Sequence, residues 1–157
     1  MMKVAIITAN TAIYKGMEEN KTGEIVKGIM EDAEQEVVFM RALPMDRKVL
    51  STIMQRMADA NLADLILTTG GCGCGPEECM PESTYDIIEK TVPGIPEALR
   101  AYMMTLTKRS MLNRCTAGIR NGVLIVNLPG KPQAVEASLK YIQQEIIHAV
   151  KVIKGEV

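Results

Sequence analysis

The residues best equipped for chemistry lie between positions 68 and 84. The run Thr68-Thr69-Gly70-Gly71-Cys72-Gly73-Cys74-Gly75-Pro76 follows an apolar stretch, and Pro81 then stands where a first helical turn accepts it. Glycines let this backbone take positive φ and turn N–H groups inward. A helix start behind them adds unpaired donors and a partial positive charge. Together these suit an oxyanion, phosphate above all. The same run is also what an ordinary tight connection looks like. It has no Lys-Ser/Thr pair to end a Walker loop, and no helix begins at once as a dinucleotide fingerprint requires.

Three of the four cysteines, Cys72, Cys74 and Cys79, belong to this region, and Cys115 lies far along the chain. Four thiolates can hold zinc or an iron–sulfur cluster, although the C-x-C spacing departs from the usual zinc pairs. Thiol contact with a soft metal is a second reading. The third, and the one adopted, is small residues in a tight loop and a buried strand, with no bound metal. A disulfide framework does not suit a cytoplasmic chain of this size.

Oxygen ligands for a hard cation are available in Glu78 and Asp46. Glu78 also reads as a solvated loop acid, Asp46 as a helix cap, and Glu82 as an acid favoured near a helix start. Arg114 and Lys131 are candidates to neutralise a phosphate. The one histidine, His148, falls late in a helical pattern, where it complements the helix end.

Elements that position these residues follow from periodicity. Residues 2–9, 36–43 and 64–69 are short apolar runs, read as strands, the first buried on both faces. A helix opens at Thr22-Gly23, with Ile25, Val26, Ile29 and Met30 on one stripe. Another runs from Asp46 to Asn61 on Val49, Leu50, Ile53, Met54 and Met57. Further helices are expected from Pro81 and after Pro96, the latter with Leu99, Met103 and Leu106 inward. Residues 117–120 and 123–127 read as strands joined by a tight turn at Asn121-Gly122. The last helix carries Val135, Leu139, Ile142, Ile146, Val150 and Ile153. Alternating strands and helices imply an α/β fold: three layers, a mostly parallel sheet with helices on both faces. Its site is expected at the strand C-terminal ends, in the loops after Thr8, Thr69 and Asn127.

The whole chain, 157 residues and 47% hydrophobic, reads as one domain over 1–157. With 18 basic against 19 acidic residues it gives no global electrostatic reason to bind nucleic acid or an anionic membrane. No apolar run approaches a membrane span, and the N-terminal run is too short for a signal peptide, so the cytoplasm is the expected compartment. Aromatics are 3%, too few for base-stacking platforms, and 12 methionines help to fill the core.

The order Thr68-Thr69-Gly70-Gly71-x-Gly73, an acid, then Pro81-Glu82-Ser83-Thr84 resembles the molybdopterin-binding MoaB/Mog family of molybdenum cofactor biosynthesis. So do Pro93-Gly94, Asn113-Arg114, Asn121-Gly122, Asn127-Leu128-Pro129-Gly130-Lys131-Pro132 and Ile147-His148-Ala149. The resemblance implies a molybdopterin adenylyltransferase that moves AMP from Mg-ATP to the molybdopterin phosphate, chemistry of positioning and charge neutralisation. It implies a homotrimer or hexamer and a molybdenum-insertion partner protein.

Carried residue by residue, it makes Gly70, Gly71 and Gly73 the phosphate donors. Thr69, Cys72, Pro81, Glu82, Ser83 and Thr84 join them as substrate-binding positions, as do Asn113, Arg114, Asn127, Pro129, Gly130 and Lys131. Glu78 and Asp46 become the catalytic, Mg²⁺-holding acids. Seven positions depart from the pattern. Cys72 replaces Thr, Glu78 replaces Asp, Met80 replaces Thr, Asn113 replaces Ser, and Met45 takes the place of a second Asp, with Asp46 next to it. Ala9-Asn10 also stands where Ser-Asp is usual. These leave open a non-catalytic molybdopterin carrier, or a metal- or redox-responsive protein using the Cys-rich loop, whose thiols would meet the dithiolene.

Overall fold

A computed structural model describes residues 1–157. Its centre is a six-stranded mixed sheet in the order β2-β1-β3-β6-β5-β4. The strands are β1 (Lys3–Ala9), β2 (Glu36–Leu43), β3 (Leu65–Thr69), β4 (Lys90–Thr91), β5 (Ala117–Arg120) and β6 (Val123–Leu128). The first four in the sheet, from β2 to β6, are parallel; β5 runs antiparallel to both neighbours.

Alternation along the central strands divides the core into two layers. Val4 and Ile6 of β1, Leu65 and Leu67 of β3, and Leu124 and Val126 of β6 face one side. There they meet α2 (Lys21–Asp32), α5 (Gly94–Met104) and α6 (Pro132–Ile153). Ala5, Ile7, Ile66, Val123 and Ile125 face the other side, against α3 (Arg47–Asp59) and α4 (Met80–Tyr85). This is the three-layer arrangement expected, with β3 buried along its full length.

Local signals set the helix starts. Asn20 accepts from Gly23 N at 3.0 Å and opens α2. Asp46 accepts from Val49 N at 3.0 Å and caps α3. Helix α5 starts at Gly94, two residues before Pro96, so Pro96 lies inside its first turn. Leu99 and Met103 point inward as expected. Leu106 does not: α5 ends at Met104 and Leu106 is 58% exposed, because the helical period no longer governs its direction. The short α1 (Thr11–Tyr14), the two-residue β4 and a 3-10 segment at Lys108–Leu112 carry no periodic signal and are additions to the sequence reading.

Candidate functional site

Three loops at the C-terminal ends of β1, β3 and β6 converge. Gly70 has φ +84° and a Cβ there would stand 2.7 Å from the Ala9 carbonyl oxygen. A Cβ on Gly130 would stand 3.0 Å from Gly70 Cα. Only glycine allows these backbones to pass so closely. Hydroxyls link the same strand ends. Thr69 Oγ1 donates to Thr8 Oγ1 at 3.2 Å, Thr8 Oγ1 donates to Asn20 Oδ1 at 3.0 Å, and Thr22 Oγ1 lies 3.4 Å from Thr69 Oγ1.

Two cavities flank this junction. The larger, about 510 Å³, is bounded by residues 70–73, by Thr107, Arg109, Ser110 and Asn113 near the 3-10 segment, and by Pro129, Gly130 and Lys131. Leu99 and Met103 supply an apolar part of its wall. The smaller, about 360 Å³, is more polar: Thr8, Asn10, Glu18, Glu19, Lys21, Thr22, Met45 and Thr69 line it. Gly70, Gly71, Glu78 and Gly130 belong to both.

Glu78 does not hang free. Its carboxylate accepts from Gly73 N at 2.8 Å and from Gly75 N at 2.9 Å. The Gly73 donor assigned to phosphate is therefore engaged inside the loop. Each carboxylate oxygen keeps a second lone pair, so Glu78 retains capacity for a cation at the cavity junction. Asp46, the other expected metal acid, is an exposed helix cap and lines neither cavity. Met45 beside it does line the smaller one, with its Sδ against Gly71.

Arg114 also has an inward role. Its guanidinium donates to Gly73 O at 2.7 Å, to Glu78 O at 3.0 Å, and to both oxygens of Glu82 at 2.7 and 3.2 Å. Its own N–H donates to Cys72 O at 2.7 Å. Arg114 thus staples the glycine loop to α4, and neither it nor Glu82 lines either of the two cavities. The hydrogen bond from Arg114 holds the Glu82 carboxyl below its ordinary 4.5. A depressed carboxyl contributes stability that is complete above its unfolded value and is lost as pH falls through the folded one. Melting between about pH 2 and 7 is expected to show an acid limb that flattens in Glu82→Gln; an identical limb in the variant would contradict this pairing.

Pro81, Ser83, Thr84 and Asn127 line neither cavity either. Pro81 stands in the first turn of α4, and Ser83 Oγ donates to Arg47 O at 3.0 Å. Buried Asn127 donates to Thr68 Oγ1 and Thr84 Oγ1, each at 3.0 Å, and accepts from Thr116 N at 3.2 Å. Thr69, Gly70, Gly71, Cys72, Gly73, Asn113, Pro129, Gly130 and Lys131 do border the cavities. Sequence reasoning missed Arg109, Ser110 and Thr107, which no motif marks, and Lys21 at the start of α2.

Cys115 does reach the loop, where its thiol meets Cys72 in the buried core. That contact and burial push the Cys72 thiol well above its ordinary value. Cys74 is exposed and donates to Leu112 O at 3.3 Å, while Cys79 is half-buried at the start of α4. No three Cys, His, Asp or Glu side chains gather closely enough to hold a metal between them. Thiol titration of the native protein is expected to show one fast group, Cys74, with Cys72 and Cys115 at least ~100-fold slower. A fast phase that persists in Cys74→Ser would contradict this order.

The geometry has close counterparts. Nearly the whole chain, 99%, superposes on 98% of a molybdopterin biosynthesis enzyme MoaB from Thermus thermophilus, with TM-score 0.92 and 30% identity. A tungsten cofactor synthesizing protein MoaB from Pyrococcus furiosus gives TM-score 0.87 and 29% identity over 97% of this chain and 96% of that one. A molybdopterin adenylyltransferase of Helicobacter pylori is 28% identical over 97% of this chain and 88% of its own length. Residues 5–149 match the family model described as a probable molybdopterin binding domain, and the chain belongs to that family.

Proposed function

We propose that this protein binds molybdopterin in the larger cavity and transfers AMP to its phosphate from Mg-ATP held across the smaller one. The observation that carries this reading is the shared wall. Gly70, Gly71, Glu78 and Gly130 border both cavities, so two ligands meet there with no side chain from the three glycines between them. A phosphate oxygen of molybdopterin attacks the α-phosphorus of ATP, the α–β bridge bond breaks, and pyrophosphate leaves. Such a step needs alignment and charge neutralisation rather than a covalent intermediate.

Glu78, which borders the junction, would hold Mg²⁺, an oxygen-seeking cation, and Glu18 and Glu19 line the same smaller cavity. Lys21, with the first N–H groups of α2, offers positive potential to nucleotide phosphates. Asp46 lines neither cavity and has no part in the metal site on this reading. Assembly as a homotrimer or hexamer, hand-over to a molybdenum-insertion partner and residence in the cytoplasm complete the proposal. No helix is long and apolar enough to cross a membrane.

One observation favours a second reading, a carrier that binds molybdopterin without adenylylating it: Met45, which cannot ligate a hard cation, lines the smaller cavity. Variants separate the two. Glu78→Gln is expected to lower Mg-dependent AMP transfer by ~100-fold or more with molybdopterin still bound, and Asp46→Asn to change it by less than about 3-fold. Turnover indifferent to Glu78→Gln removes that acid from the reaction. An inactive natural protein rescued by Met45→Asp with Glu78→Asp establishes the carrier.

A further inference from the structure

Two of the groups expected to bind a ligand phosphate in the larger cavity are committed elsewhere. Arg114 is fixed on Glu82 and on two loop carbonyls. The Gly73 N–H is taken by Glu78, whereas the Gly70 and Gly71 N–H groups at the shared wall have no acceptor within the protein. Glu78 is also the only acid bordering this cavity, and two backbone donors already partner it. Two cationic side chains lining the same cavity are uncommitted. Arg109 and Lys131 both border it, and neither side chain forms an ion pair or a hydrogen bond within the protein. Beside Arg109, the Ser110 hydroxyl donates to no protein group, and Asn113 uses its Oδ1 on Cys115 N at 2.8 Å while its amide N–H₂ stays uncommitted. Thr107 fixes this segment by accepting from Arg109 N at 3.3 Å. The cavity therefore joins an apolar wall at Leu99 and Met103 to a rim of unengaged donors bearing two positive charges.

We propose that Arg109 and Lys131, beside the free N–H groups of Gly70 and Gly71 and rather than Arg114 or the Gly73 N–H, are the side chains that select the phosphate of the cavity's ligand. This rests on the molybdopterin reading and deepens it. A guanidinium offers paired donors to phosphate oxygens and an ammonium offers a compact charge, so the two complement one another on a dianion. The pterin body lies along the apolar wall, and the phosphate reaches the shared wall with Arg109 and Lys131 beside it. Arg109 is thereby a specificity-determining residue for the phosphorylated over the dephosphorylated ligand.

The test is anaerobic calorimetric titration with molybdopterin and with the same pterin stripped of its phosphate by a phosphatase. The natural chain, Arg109→Gln, Arg109→Lys and Lys131→Gln are compared. Both positions are exposed, and unchanged melting confirms that the variants fold. The natural chain is expected to prefer the phosphorylated form by about 100-fold, and each Gln variant to lower that ratio by about 10-fold. Affinity for the stripped form stays within about 2-fold, and Arg109→Lys keeps most of the preference. A ratio near one in the natural chain overturns the proposal while molybdopterin binding stands. So does a ratio unchanged by both Gln variants, or an equal loss of both forms in them. Failure of both forms to bind the natural chain overturns the molybdopterin reading together with it.

Discussion

Gly70→Ala loses about 3 kcal/mol or more of stability and binds no ligand in either cavity. Two effects add. At φ +84° an L side chain is strained, which costs about 1–2 kcal/mol. The new Cβ would also stand 2.7 Å from the Ala9 carbonyl oxygen, a backbone atom held in β1 that cannot step aside as a side chain would. Gly16 is the control. It has φ +75°, and a Cβ placed on it would meet nothing within 4 Å, so Gly16→Ala shows the conformational cost alone, about 1–2 kcal/mol. Denaturant melts of both variants measure the difference. Equal losses would mean that the strand ends are not tightly packed at Gly70, and the shared wall of the two cavities would lose its basis.

Asn127→Leu is the second large change. The buried amide ties together β3 through Thr68, α4 through Thr84 and the start of β5 through Thr116 N. Leucine has nearly the same volume but takes the acceptor from Thr116 N–H and the donor from two buried hydroxyl oxygens. Of these hydroxyls Thr84 keeps its own bond to Met80 O, and an unpartnered buried N–H is costly. The expected loss is about 2–4 kcal/mol, a fall in Tm of about 10 °C for a chain of this size. Calorimetry checks it, with Asn113→Leu as a comparison: Asn113 is only half-buried and caps one N–H. A fall of less than about 2 °C in Asn127→Leu would show that this network carries little of the fold.

Much of the fold is legible because burial imposes a period. The strand at 36–43 ends where its last apolar residue meets Pro44, and α6 follows from its Val135-to-Ile153 stripe. Asp46 is legible as a cap because capping is local, decided by a donor three residues away. Two-residue β4 has no room for a period, and Leu106 continues a spacing past the point where the helix stops.

At the site, the glycine loop and its place after β3 are readable from composition. The use of its donors is not. Glu78 reads equally well as a metal acid or a loop acid until the fold places its oxygens on Gly73 and Gly75. Arg114 reads as a phosphate binder because its charge is visible and its partners, 32 to 41 residues away, are not. Arg109 belongs to no motif, so only the cavity wall brings it to notice. The meeting of Cys72 with Cys115 depends on where the chain leaves β3 and where it enters β5, which spacing along the chain does not encode.

The most direct test of the central claim is a single turnover. Protein in excess is mixed anaerobically with molybdopterin, Mg²⁺ and ATP labelled at the α-phosphate. The expected result is label moving to the pterin, with pyrophosphate released in equal amount, and neither occurring when Mg²⁺ or molybdopterin is omitted. Molybdopterin bound by the protein with all of the label remaining in ATP would contradict adenylyl transfer and leave the carrier in its place.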